Sequence, residues 1–146
     1  MHKDFYAGGF LFNPYSEKIL LQQHITGSEI SSPWLLFGNN CLEQDNPIEI
    51  FKETIFQLLD IRIKDVFSVY SYTNENVLNK QSILYSEINS LQKFSPKNGL
   101  NFAWFSFKDV LRLQSTEQTK HDIVVGQRVI EAASREKLGE YNSNKY

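Results

Sequence analysis

The sequence has a single cysteine, Cys41, among its 146 residues. One thiol makes neither an internal disulfide nor a zinc cluster, so a reducing compartment is expected. Of the three histidines, His2 and His121 have no partners at metal-ligand spacing, while His24 ends a strand and is either a surface residue or a ligand. Neither charge is in surplus: 15 Lys and Arg stand against 17 Asp and Glu, for a formal net charge of −2. That balance leaves no basic patch to hold a phosphate backbone, and a nucleic acid duplex is not expected as a partner. No apolar run approaches the roughly 20 residues of a membrane span. Met1 to Phe12 also lacks the apolar run and cleavage site of a signal peptide, so a cytoplasmic location is expected. Repeats, linkers and low-complexity tracts are missing too. The expectation is one domain over residues 1–138, followed by a flexible polar tail over 139–146. What the chain does have is aromatics, 14% of residues within an apolar fraction of 41%, enough to exclude a disordered chain.

The pattern of elements is mixed. Phe5 to Phe12 reads as a mostly buried strand, with close backbone approach at Gly8-Gly9. A turn at Asn13-Pro14-Tyr15-Ser16 leads to a second strand, Lys18 to His24, making a hairpin. Trp34 to Phe37 is a short strand that Gly38-Asn39-Asn40 should end. The best-marked element is a helix from Pro47 to about Ile61. Asn46 suits its N-cap, Pro47 its first position and Glu49 the place of a capping-box carboxylate. Ile48, Phe51, Ile55 and Leu58 make its apolar stripe. Strands follow at Asp65–Thr73, Ser82–Asn89 and Asn101–Phe107. A short helix, Lys108–Leu113, and a longer one, Lys120 to about Leu138, close the chain. The fold class is α/β, a mixed sheet sandwiched between helices.

This order of elements, and the residues within it, resemble the Nudix hydrolases, the MutT-like superfamily. Ala7-Gly8-Gly9-Phe10-Leu11-Phe12-Asn13-Pro14 followed by Ile19-Leu20-Leu21-Gln22-Gln23 looks like that family's opening hairpin. Trp34 through Gly38 is similar to its Trp-x-x-Pro-Gly-Gly, with Phe37 for the Pro and Asn39 for the second Gly. Trp104-Phe105 and Lys108-Asp109-Val110 look like its late strand and short helix. The family's signature is Gly, five residues, Glu, seven residues, then Arg-Glu-apolar-any-Glu-Glu-any-Gly-apolar. Laid over this chain from Gly38, the first Glu falls on Gln44, with Glu43 one place early. Lys52 takes the Arg and Glu53 the Glu. Thr54 takes the apolar place, and Phe56 and Gln57 stand where the paired glutamates belong. Leu59 and Asp60 fall on the second Gly and the last apolar place. The box is degenerate.

The resemblance implies metal-dependent hydrolysis of a nucleotide-type diphosphate, with Mg²⁺ or Mn²⁺ as cofactor. Splitting a pyrophosphate needs divalent cations to neutralise its oxygens and activate a water. Hard oxygen ligands from one helix face supply them. In that reading Glu53 is the principal metal ligand, helped by Glu49 or Gln57. Lys52 takes the arginine's orienting role, and Gly38 and Asn39 shape the loop facing the phosphates. Glu49, Glu53 and Asp60 fall within an arc of roughly 40° on the helix, so a displaced site is also open. Lys93 and Lys97, in the loop before the late strand, are further candidates for phosphate. Phe5, Tyr6, Tyr70 and Tyr72 are candidates for stacking on a base. The alternative is a catalytically inactive domain that uses the same cleft to bind a nucleotide or a protein. Phe56 favours it, because an apolar ring at a ligand position repels the ion and its waters. A third reading, a structural subunit of a homodimer, requires an exposed apolar patch.

Overall fold

The computed structural model describes residues 5–25, 32–74 and 79–143. His2 and most of the irregular stretch between Thr26 and Pro33 lie outside these.

The chain opens with strand β1 (Phe5–Asn13), followed by β2 (Lys18–His24). A side-chain knot closes their hairpin. Asn13 is 2% exposed. Its Oδ1 accepts from the backbone N–H groups of Tyr15 (3.1 Å) and Ser16 (2.9 Å) and from Ser16 Oγ (3.0 Å), while its Nδ2 donates to the Ile88 carbonyl at 3.1 Å. An asparagine at a turn's first position offers this kind of backbone mimicry.

β1 is the hub of a seven-stranded mixed sheet. Only its last residues, Leu11 to Asn13, pair antiparallel with β2. There the two strands part, and β3 (Trp34–Leu35) and β4 (Phe37–Cys41) fill the gap. β3 takes the freed edge of β2 at Gln22 and Gln23, and β4 takes the freed edge of β1 from Phe5 to Gly9. This corrects the expectation that Gly38-Asn39-Asn40 ends the strand: the open edge of β1 extends it, with Gly38 opposite Gly8 and Asn39 opposite Ala7. On its other edge β1 runs parallel to β6 (Asn79–Glu87), which pairs antiparallel with the edge strand β5 (Phe67–Asn74). β7 (Leu100–Ser106) lies antiparallel along β2.

Helices cover both faces, which is why the central strands read as near-continuous apolar runs. One layer is α1 (Pro47–Leu59), packed on Leu11, Leu20, Phe37 and Leu84 through Phe51, Ile55 and Leu59. The other is α3 (Glu117–Ser143), packed on Phe10, Phe12, Leu21 and Tyr85 through Ile123 and Ile130. The short α2 (Phe107–Val110) precedes it, capped by Ser106 Oγ accepting from Asp109 N–H at 3.1 Å. Leu11 and Leu20 face α1 while Phe10 and Leu21 face α3, the period of two that a pleated strand imposes. The layering is helix, mixed sheet, helix, as expected.

Gly9 makes the close approach anticipated at the paired glycines. A Cβ on it would lie 2.0 Å from the Leu84 carbonyl oxygen and 3.0 Å from the Phe51 ring. β1, β6 and α1 therefore meet at a point that admits no side chain.

Several elements differ from the sequence reading. In α1 the first-turn Ile48 is exposed, and Thr54 takes a buried place, its hydroxyl satisfied by donating to the Ile50 carbonyl at 2.8 Å. In β5 an irregularity between Ser68 and Tyr70 shifts the register against β6, which the sequence reading of a plain strand over Asp65–Thr73 does not show. Val69 is thereby buried in the α3-side core, with Tyr70 and Tyr72 packed against it. α3 begins earlier than the periodicity indicates and includes Gly139–Ser143, assigned above to the tail. No helix among the described residues is long and apolar enough to cross a membrane.

Candidate functional site

Gly38 and Asn39 sit on β4 beside β1, and each faces a different layer. On the α3 side the Tyr6 ring lies across the Gly8–Gly38 pair. A Cβ on Gly38 would be 2.2 Å from Tyr6 Oη and 2.8 Å from the Ala7 carbonyl; one on Gly8 would be 2.6 Å from Tyr6 Cε1. The ring fills the gap that two facing glycines leave in a sheet. On the α1 side the Asn39 amide donates to Thr54 Oγ1 at 3.4 Å. Thr54 is thus the α1 residue whose side chain hydrogen-bonds the glycine-bearing strand, beside the apolar packing of Phe51 and Ile55 on Phe37.

The other candidates on α1 point elsewhere. Residues two apart on a helix differ by about 200°, so Lys52 faces away from Thr54. Its Nζ lies 3.9 Å from Glu49 Oε1 on an exposed flank. Glu53 Oε1 accepts from Gln57 Nε2 at 3.2 Å, both side chains in solvent. Glu49, Lys52 and Glu53 line a shallow cavity of about 310 Å³ with Phe56, Arg62 and Ile63. The Arg62 guanidinium stacks 4.4 Å from the centre of the Phe56 ring. Two carboxylates with a lysine beside one and a cation–aromatic pair on the rim do not fit a divalent cation that needs several hard oxygens. Among the described residues no group of three or more His, Cys, Asp or Glu is placed to hold a metal ion.

The end of α1 offers a second register in which the signature can be laid over the chain. Asp60 takes φ 57° and ψ 36°, and its N–H bonds the Phe56 carbonyl. This left-handed closing position is the one glycine favours. Setting the signature's second glycine on Asp60 moves the whole box one residue later. Ile55, fully buried, and Ile61 then occupy the two apolar places. The three helical glutamate places become Thr54, Gln57 and Leu58. The first glutamate place falls on Asp45, whose carboxylate accepts from Leu42 N–H at 2.8 Å and closes its own loop.

Of the loop lysines, Lys97 donates to the Gln57 carbonyl at 2.8 Å. It satisfies an orphan carbonyl at the negative end of α1, a structural use of the charge. Cys41 is buried at the end of β4, where loss of solvent raises its pKa.

The polar cluster that sequence reasoning missed lies on the opposite face. Asp122 is 4% exposed on α3. Its Oδ1 accepts from Tyr70 Oη at 2.5 Å and from Gln118 Nε2 at 2.9 Å. Tyr72 lies against Tyr70, with ring centroids 5.1 Å apart. Burial, then the nearby Asp122 charge, lifts the phenols of both Tyr6 and Tyr72 to about 12. Burial raises Asp122 itself above 3.8, against the two hydrogen bonds that favour its ionised form. A carboxyl with a raised folded-state pKa loses stability as pH rises, because the unfolded chain ionises first. Urea melts of wild type and Asp122→Asn should therefore diverge as pH rises above about 3.8, the variant gaining relative to wild type. A relative gain for wild type over that interval would contradict this reading. The signal in the sequence was one acid inside the buried face of α3, between Thr119 and Ile123.

No family model matches the chain, and no curated protein matches it in sequence. Solved structures match its shape. The Nudix domain of NrtR from Shewanella oneidensis, crystallised with ADP-ribose, superposes with a TM-score of 0.68 at 11% identity, over 86% of this chain and 87% of that one. A mutT/nudix family protein from Listeria innocua gives 0.66 at 12%, over 92% and 96%. A Nudix hydrolase from Nitrosomonas europaea gives 0.59 at 12%, over 86% and 88%. At such identities the likeness speaks of architecture and leaves activity to the site. The hairpin, the wedge of β3 and β4, the helix behind it and the covering α3 together are the Nudix fold.

Proposed function

We propose that this Nudix-fold domain binds a nucleotide-type ligand without hydrolysing it. The observation that carries the reading is Thr54: the α1 side chain that the Asn39 amide bonds is a hydroxyl already committed to the Ile50 carbonyl, where a metal site would need a carboxylate. The charge-bearing residues Glu49, Lys52 and Glu53 sit on another flank. The ligand class rests on the fold's neighbour in Shewanella, which was crystallised with ADP-ribose. A reducing, cytoplasmic setting belongs to the same reading and rests on the one buried thiol.

The test is calorimetry with ADP-ribose, in chelator and in Mg²⁺, with chromatography of the mixture for AMP. Binding that ignores the chelator, no AMP, and Glu53→Gln behaving as wild type are the expected results. The competing reading is a Mg²⁺- or Mn²⁺-dependent hydrolase with Glu53 as chief ligand and Glu49 or Gln57 assisting. Turnover lost in Glu53→Gln would establish that reading instead.

A further inference from the structure

A second cavity, of about 600 Å³, lies at the other end of β1, where the β1–β2 turn, the end of β6, α2 and the second half of α3 come together. Its size falls within the usual range for a small-molecule site. The floor is apolar. Phe12 and Phe107 meet there with ring centroids 5.9 Å apart, and Ile130 and Pro14 complete it.

The charges around this floor are sorted by element. Glu17 comes from the turn and Glu87 from the end of β6, so the sheet side is acidic. Lys108 on α2 and Arg135 and Lys137 on α3 make the helical side basic. Glu131, also on α3, keeps its negative charge, since its partner at 3.2 Å is the neutral Gln127 amide, and the helical side is net basic with three cations against one carboxylate. Among the described residues Lys52–Glu49 is the only ion pair, so none of these charges is neutralised across the cavity. An apolar floor between unpaired walls of opposite sign is a template for a molecule carrying both charges and an apolar group. Successive residues of an extended peptide advance about 3.3–3.6 Å, so a dipeptide separates its terminal charges by a few ångströms while laying a side chain between them.

We propose that this cavity binds a zwitterion of dipeptide size with an aromatic or branched apolar side chain. The ammonium goes to Glu17 and Glu87, the carboxylate to Arg135 with Lys108 and Lys137, and the side chain to Phe12 and Phe107. Guanidinium–carboxylate pairing and charge-assisted hydrogen bonds supply the specificity. The site is independent of the nucleotide reading and of α1.

The probe is L-phenylalanyl-L-alanine, titrated into the isotope-labelled full chain and followed by amide chemical shifts. Its N-acetylated and C-amidated forms serve as controls. Saturable shifts are expected at residues 14–17, 106–108 and 130–135. Each blocked form should bind about tenfold more weakly, the scale of one lost charge-assisted contact. Glu17 has φ 57°, so Glu17→Gly removes the carboxylate at a position whose backbone glycine accepts. That variant and Arg135→Ala should each weaken the dipeptide by a similar factor and leave ADP-ribose binding as in wild type. Equal shifts with the blocked forms would reduce the cavity to an apolar groove. Those equal shifts, no saturable response, or undiminished binding in both variants would each overturn the proposal.

Discussion

Gly9→Ala is expected to leave little folded protein at 37 °C. The added methyl would fall 2.0 Å from the Leu84 carbonyl oxygen and 2.7 Å from its carbon. Both are backbone atoms of β6, held in parallel register with β1 from Phe5↔Lys80 to Phe12↔Glu87. No rotamer change relieves that contact, and retreat toward α1 meets the fully buried Phe51 ring. The strands must separate or the central pairing must shift. The cost should be about 3 kcal/mol or more, the upper range for forced overpacking. For a domain of this size that is roughly a 10 °C fall in Tm. Thermal melts by circular dichroism measure it, and a variant melting within a degree of wild type would mean the β1–β6 spacing is wrong.

Asn13→Ala should come second, at about 2–4 kcal/mol. The substitution strands the N–H groups of Tyr15 and Ser16 in the turn and leaves the Ile88 carbonyl without its side-chain donor. Each buried polar group left unpaired costs about 1–3 kcal/mol. Asn13→Asp separates the two halves of the knot. It keeps an acceptor for the turn amides and turns the donor facing Ile88 into a repelling oxygen. Denaturant melts should place it between wild type and Asn13→Ala in midpoint. An alanine variant as stable as wild type would show that the turn holds without the side chain.

Much of the architecture was legible because the relevant signals are local. Asn46-Pro47 announces the start of α1, and the Asn46 side chain does cap it, accepting from the N–H groups of Ile48 and Glu49. Asn13-Pro14 announces the hairpin turn. The apolar run Phe5–Phe12 announces a strand covered on both faces. What was not legible depends on distant partners. The extension of β4 through Gly38–Asn40 depends on an edge of β1 that β2 abandons. The irregularity at Val69 shows only against β6. The candidate site suffered most. A signature is aligned by its characteristic letters, and here most of those letters are replaced, so the register rested on Gly38 and Glu53, with Lys52 for the Arg. The backbone of Asp60 supplies an anchor that side-chain identity conceals, since an aspartate in the left-handed region looks like any other acid in the sequence. Asp122 was hidden in the same way: its burial follows from which side of α3 meets Tyr70.

The three partners of β1 set a timetable for the ribosome. β1 is made before all three of them, and β2 follows within a few residues, so a small hairpin is available early. β4 arrives later, and Lys80 to Glu87, which complete the parallel side, emerge only after α1 and β5. Until then an aromatic, almost uncharged strand waits with one edge open. Long-range pairing of this kind is slow to form, and an unsatisfied apolar edge is prone to association. The nascent chain thus passes through a window, between synthesis of β2 and of β6, in which its most buried segment is its most vulnerable one.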